Sequence, residues 1–177
     1  MRLPRNRNIL ASLGLLALIA CSINVSFDIN KDFVADATGT SLETIVTVNL
    51  SDYQAVKDNK DKLEGLSIGA ADLTITEVRS TNKATSVSGT AELRAVGSSP
   101  GGTGNVVLGT ITNFEIRQGA TLKIPGNKDV DAFLLRQIKS TGTFEAVIKG
   151  TTTGGEAHVT INAKLHMDLL ANTGGVF

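Results

Sequence analysis

The chain has 177 residues, with 17 basic and 17 acidic side chains, one cysteine, one tyrosine and no tryptophan. Balanced charge leaves no basic stripe for phosphate contacts, so nucleic acid is not the expected partner. One cysteine excludes an intrachain disulfide and any cysteine-based zinc site, and a mix rich in Thr, Val, Ile and Gly favours strands over helical bundles.

Arg2, Arg5 and Arg7 precede an uncharged run over residues 9–20, and no acid appears before Cys21. A spanning helix needs about 20 apolar residues. The shorter run fits the h-region of a signal peptide. It ends in Leu18-Ile19-Ala20-Cys21. This resembles the lipobox of bacterial lipoproteins: an aliphatic residue, a tolerant position, a small residue, then the cysteine. The resemblance covers residues 1–21. It implies diacylglycerol on the Cys21 thiol, cleavage before it and fatty acylation of the new amine. The anchor would then be the membrane partner, with acyl chains burying about 0.8 kcal/mol per methylene. By the enterobacterial sorting rule, Ser22 rather than Asp after the cysteine implies the outer membrane. Lipidation also gives a use to a thiol that would otherwise be an oxidation liability in an exported chain. The expected organisation is a signal peptide over 1–20 and one β-rich domain over 21–177, ordered through 171, with 172–177 as a loose tail. Removing the three arginines leaves 14 basic against 17 acidic side chains, a formal −3.

Residues 22–33 alternate, with Ile23, Val25, Phe27 and Ile29 on one face and Asn24, Ser26, Asp28 and Asn30 on the other. Period two predicts a half-buried strand, beginning one residue after the lipid site. Residues 36–41 form a polar loop, and 42–50 a second strand with Val46, Val48 and Leu50 alternating. Ser51, with Gln54 three residues on, has capping-box spacing. The expected helix carries Tyr53, Val56 and Leu63 on one face and ends at Gly65. Its charge run (Lys57, Asp58, Lys60, Asp61, Lys62) fits a solvated face.

A strand is expected over 71–78, a turn over 80–83, and a return strand around Val87, Gly89, Ala91, Leu93 and Ala95. Residues 97–105 form a glycine-rich loop. One or two strands follow over 106–124, broken near Gln118-Gly119 and stopped by Pro125-Gly126. Residues 129–139 fit a second short helix with Val130, Phe133, Leu134 and Ile138 on one face. Asp129, Asp131 and Lys139 suit its dipole. The chain closes on an expected hairpin: Phe144, Ala146 and Ile148 alternate, Gly154-Gly155 turns, and Ala157 to Leu169 alternate without a break. Fully extended, that last strand spans about 45 Å, which predicts a bend or bulge.

The pattern predicts a mainly β fold, an antiparallel two-sheet sandwich (immunoglobulin-like or similar) with two short crossover helices. The alternative is a single curved sheet over a helix. A membrane barrel would need aromatic girdles that one Tyr and no Trp cannot build.

The chemical motifs are weak. Gly65-Leu66-Ser67-Ile68-Gly69 matches G-x-S-x-G, but a nucleophile elbow needs a strand before the serine and a helix after it. Here the expected order is reversed. His158 and His166 lie on the polar side of the last strand, about 26 Å apart if extended, so they cannot share a metal site or complete a triad with Ser67. Residues 28–32 open like a calcium loop, but Phe33 stands where that loop needs Gly. Gly104 and Gly109 are spaced as in a P-loop, without its Lys.

The expectation is therefore a non-catalytic envelope lipoprotein, lipidated at Cys21, with no cofactor, no metal and a protein partner in the envelope. The alternative is a carrier of a hydrophobic small molecule or lipid. A serine hydrolase is the remote third.

Overall fold

The computed structural model describes residues 22–98 and 104–172. Eight strands make two four-stranded antiparallel sheets: β1 (Ser22–Asp36), β2 (Ser41–Asn49), β3 (Leu63–Val78), β4 (Ser86–Arg94), β5 (Asn105–Glu115), β6 (Thr121–Pro125), β7 (Thr143–Thr153) and β8 (His158–Asn172). The sheet orders are β1-β8-β3-β6 and β2-β7-β4-β5. The two-sheet sandwich is present, and this interleaved order makes it a jelly roll. Its inner faces meet over a core containing Phe33, Ile75, Phe144, Met167 and Leu169, all essentially inaccessible to solvent.

Helices α1 (Gln54–Asn59) and α2 (Lys128–Lys139) both lie on connections that change sheet. The predicted face of α2 is the buried one: Val130, Phe133, Leu134 and Ile138. Phe133 meets Phe144 of β7 edge to face, with ring centroids 6.4 Å apart. Asn127 caps the helix by accepting from the Val130 N–H at 3.0 Å, which satisfies one of the amides the first turn leaves unpaired. Asp131 then reaches out of that first turn to accept from the Ile68 N–H of β3 at 2.9 Å.

Four details differ from the sequence expectation. Ser51 does not cap α1. A short 3-10 turn spans Leu50–Asp52, capped by the Asn49 side chain on the Ser51 N–H, and α1 begins after Tyr53 without a side-chain cap. Gly65 does not end that helix. A second 3-10 turn, Lys60–Lys62, runs straight into β3, where Leu63 pairs with Ala171 and Gly65 with Leu170. Cross-strand pairing of the 63–70 stretch overrides the cap pattern. The bulge expected in the long last strand sits in its neighbour instead. β8 runs in unbroken register with β1 from Asp36↔His158 to Ser22↔Asn172, while β3 carries register shifts at Leu63/Gly65, Ile68/Ala70 and Ile75/Glu77. β8 also takes in Asn172, the first residue of the expected tail; residues 173–177 lie outside those described.

The fourth concerns strand pairing. β3 and β4 are not partners, and β7 and β8 do not form a hairpin: in each pair the strands lie in opposite sheets. Gly154 and Gly155 still turn the chain, at φ +91° and +135°, a region that favours glycine. They carry it across the sandwich rather than back along the same sheet. β4–β5 is the one pair of consecutive strands bonded to each other.

Candidate interaction face

Cys21, the predicted lipidation site, lies outside the described residues; Ser22, which follows it, opens β1. Ser67, His158, His166 and the Asp28–Asp32 row fall on the outer face of the β1-β8-β3-β6 sheet, and the Gly104–Gly109 stretch on β5 of the other. Pleating sends the alternate residues of β1 and β8 there, and their register matches them by charge. Asp36 faces His158, Asp32 faces Asn162, Asp28 faces His166 and Ser26 faces Asp168.

The pairs are hydrogen-bonded. His158 Nδ1 lies 3.0 Å from Asp36, whose carboxylate also accepts from Arg79 at 2.6 Å. Asn162 Nδ2 donates to Asp32 at 2.8 Å. Asp28 takes His166 Nδ1 on one oxygen at 2.8 Å and Lys164 Nζ on the other at 2.7 Å. Ser26 donates to Asp168. Hydrogen bonds to Lys164 and then His166 hold the Asp28 carboxyl below its ordinary 3.8. His158 and then Arg79 do the same for Asp36. In return Asp28 raises Lys164 above 10.5.

Beside this ladder the sheet surface dips. Asp28, Gly69, Ala70, Asp72, Lys123, Lys164 and His166 line an open cleft of about 540 Å³. Gly69 and Ala70 leave it shallow sides, and Lys123 stands opposite Asp72 across β3–β6. The cleft presents both charge signs within one small area. That suits polar docking by a complementary surface more than capture of an apolar ligand.

The catalytic readings do not assemble here. Ser67 is exposed in the interior of β3, opposite Asp168, so the sharp strand-to-helix turn of a nucleophile elbow is absent. Ser67 and His166 do share a face. However, one imidazole nitrogen of His166 is bonded to Asp28 and the other faces Asp168 at 3.8 Å, leaving neither directed at the hydroxyl. His158 is at the far end of β8, with Asp36 at 3.0 Å and Glu156 at 4.0 Å. Asp28, Asn30 and Asp32 occupy successive outward positions of a straight strand, not a loop curled about an ion. No group of three or more His, Cys, Asp or Glu with metal-site geometry occurs among the described residues. Asn105 to Glu115 is strand β5, so the Gly104–Gly109 stretch cradles nothing.

The ladder was not anticipated from the sequence, yet it had a signal. Asp28, Asp32 and Asp36 recur every four residues, as do His158, Asn162 and His166. Two period-four rows of opposite character on alternating segments predict an antiparallel match. The roles of Arg79 and Asp131 had none, because their partners are distant in the chain, whereas the Asn127 cap had a local one, three residues before Val130.

The fold and face together define an eight-stranded jelly roll with a hydrogen-bonded polar ladder on one outer face. No family model matches the chain, and no curated protein matches it. Similar solved structures include a chain of Desmodium yellow mottle tymovirus, with TM-score 0.36, 9% identity, and coverage of 86% of this chain and 89% of that one. A turnip yellow mosaic virus chain gives TM-score 0.33, 8% identity, and coverage of 86% and 82%. The BFDV capsid protein gives TM-score 0.30, 8% identity, and coverage of 84% and 98%. At these scores the likenesses carry no argument about function.

Proposed function

We propose that this is a lipid-anchored protein of the bacterial envelope, whose jelly roll works without catalysis by binding another envelope protein. The observation that carries the reading is the lipobox-like Leu18-Ile19-Ala20-Cys21 joined without a spacer to a strand that begins at Ser22. An anchor there holds the domain at the bilayer, by resemblance that of the outer membrane. The ladder and the mixed-charge cleft support the second half. Their carboxylates are already satisfied by donors on the neighbouring strand, which suits a rigid contact surface better than an acid–base site.

The carrier reading draws less support. An apolar gap between the sheets, among Ile29, Phe33, Leu73, Leu108, Phe144 and Leu165, holds about 50 Å³. A single water's share of liquid volume is about 30 Å³, so an acyl chain does not fit without parting the sheets.

The test is site-specific photocrosslinking in intact cells. A crosslinker at Asn30, exposed beside the cleft, is expected to trap one specific protein, and one at Val34 on the same outward row to trap it less. Equal, diffuse labelling from both positions overturns the contact-surface reading. A stoichiometric lipid on the delipidated domain in native mass spectrometry favours the carrier instead.

A further inference from the structure

We infer that the end of the sandwich where β1 starts and β8 ends seats directly on the lipid surface, with Ile23 and Leu170 in contact with the membrane. This rests on the lipid-anchor reading and adds an orientation to it.

The core-facing row of β1 is apolar except for Lys31, and towards its start its cover runs out. Phe33 and Ile29 are buried, Phe27 and Val25 only half-buried, and Ile23 is 42% exposed. The last aromatic cover is Tyr53, whose ring lies 5.5 Å from that of Phe27. Beyond it the core-facing positions of β8 and β3 stay covered, with Ala171 and Leu63 buried, and the exposure is confined to the β1 edge. Leu170, outward on β8 beside Gly65, is 38% exposed. Val96, in the β4–β5 connection at the same end of the sandwich, is 53% exposed. Single exposed apolar residues are ordinary on any protein. Val34 and Ile45 are also exposed, elsewhere on the domain, so the informative feature of Ile23 and Leu170 is their place at the strand ends that adjoin Cys21.

The strand ends form one tied unit. Glu64 accepts from Ser22 of β1 and from Asn172 of β8, the latter at 2.8 Å. Cys21 follows Ser22 backwards along the chain with no residue between them. An acylated Cys21 leaves this end no tether with which to stand away from the bilayer, so the occupant of the apolar tip is the lipid interface. Charge does not drive the contact. Lys57, Lys60 and Lys62 at this end are offset by Asp52, Asp58, Asp61 and Glu64. Seating is therefore expected on zwitterionic as well as anionic lipid. The β1–β8 ladder covers 15 residue pairs, so the Asp36–His158–Arg79 cluster then stands roughly 45 Å from the bilayer.

The chain contains no tryptophan, so one introduced Trp is a sole reporter. Full-length Leu170→Trp and Val34→Trp variants, both at exposed positions, are expressed in cells and purified with their native processing. Intact mass is measured, and each is reconstituted in phosphatidylcholine vesicles with and without brominated acyl chains. The expected result is blue-shifted emission and bromine quenching for Leu170→Trp, and neither for Val34→Trp. Ile23→Trp is a second reporter, expected to behave as Leu170→Trp. Lipidated protein in which neither Leu170→Trp nor Ile23→Trp is quenched, or in which Val34→Trp is quenched as strongly, overturns the seating and leaves the anchor intact. Protein that carries no lipid by mass overturns the anchor reading and this inference with it.

Discussion

Asp131 is the side chain whose removal tests the architecture most sharply. It sits in the first turn of α2 and accepts from the Ile68 N–H of β3 at 2.9 Å, where β3 shifts register between Ile68 and Ala70. β6 pairs with β3 only over Ala70–Thr74, so Ile68 lies past the end of that neighbour, and Asp131 supplies the acceptor there. A hydrogen bond to a charged group contributes about 1.5–3 kcal/mol. The carboxylate adds about 0.3–1 kcal/mol at the helix N-terminus. The site is only part-buried, and water can replace some of the lost bond. Asp131→Ala is therefore expected to cost about 2 kcal/mol, near the low end of the summed range. For a chain of this size that lowers Tm by about 4–8 °C. Asp131→Asn keeps an acceptor oxygen and loses the charge, so its cost is expected at about 1 kcal/mol or less. Urea unfolding of the three proteins measures both values. An Asp131→Ala variant within about 0.5 kcal/mol of the parent refutes the reasoning, since that is the ordinary scatter of surface substitutions. Equal losses for Ala and Asn refute the acceptor argument in particular.

Other outcomes follow from the same structure. A Cβ on Gly126 would come within 1.8 Å of the Ile68 carbonyl oxygen; because backbone must move to make room, Gly126→Ala is expected to destabilise by about 1–3 kcal/mol, read in the same urea assay. Leu169→Ala, at a fully buried position, is expected to cost about 2–5 kcal/mol. Asp28 has a folded pKa below 3.8, so its contribution to stability is complete above that value. It fades as the pH falls through the lower folded pKa. Lys164, raised above 10.5 by Asp28, contributes fully below 10.5 and loses its contribution as the pH climbs through its higher folded value. Asp28→Asn is expected to flatten both limbs in a pH series of unfolding midpoints, and unchanged limbs would contradict the pairing. Ser67→Ala is expected to leave reactivity toward activated esters unchanged, and a loss of activity would revive the hydrolase reading.

Strand positions were legible in the sequence to a degree that strand partners were not. The row Val159-Ile161-Leu165-Met167-Leu169 is buried as alternation predicts, while of Ile23, Val25, Phe27 and Ile29 only Ile29 is fully buried and Ile23 is exposed. The face of α2 and the break at Gly119, with φ +81°, also match. Alternation reports that one face of a strand is covered, but is silent on which strand lies beside it. Short connections such as 79–85 and 154–157 are long enough for a hairpin, which is the commoner use of such turns. Here they cross between sheets, as jelly-roll order requires. The α1 region misled for a different reason. Its capping-box spacing and Gly65 are local signals, and the pairing of Leu63 and Gly65 with Ala171 and Leu170 is not. The polar ladder lay between these cases. Its period-four rows were visible in each strand separately, but became a site only once the β1–β8 register was known.

The central claim is that Cys21 becomes the N-terminal, lipid-bearing residue of the working protein. Intact-mass and N-terminal peptide analysis of the chain purified from its native membranes tests it most directly. The account predicts a chain that lacks residues 1–20 and carries a diacylglyceryl thioether and an acylated amine on Cys21. A chain that retains Met1, or one whose Cys21 is a free thiol, contradicts it.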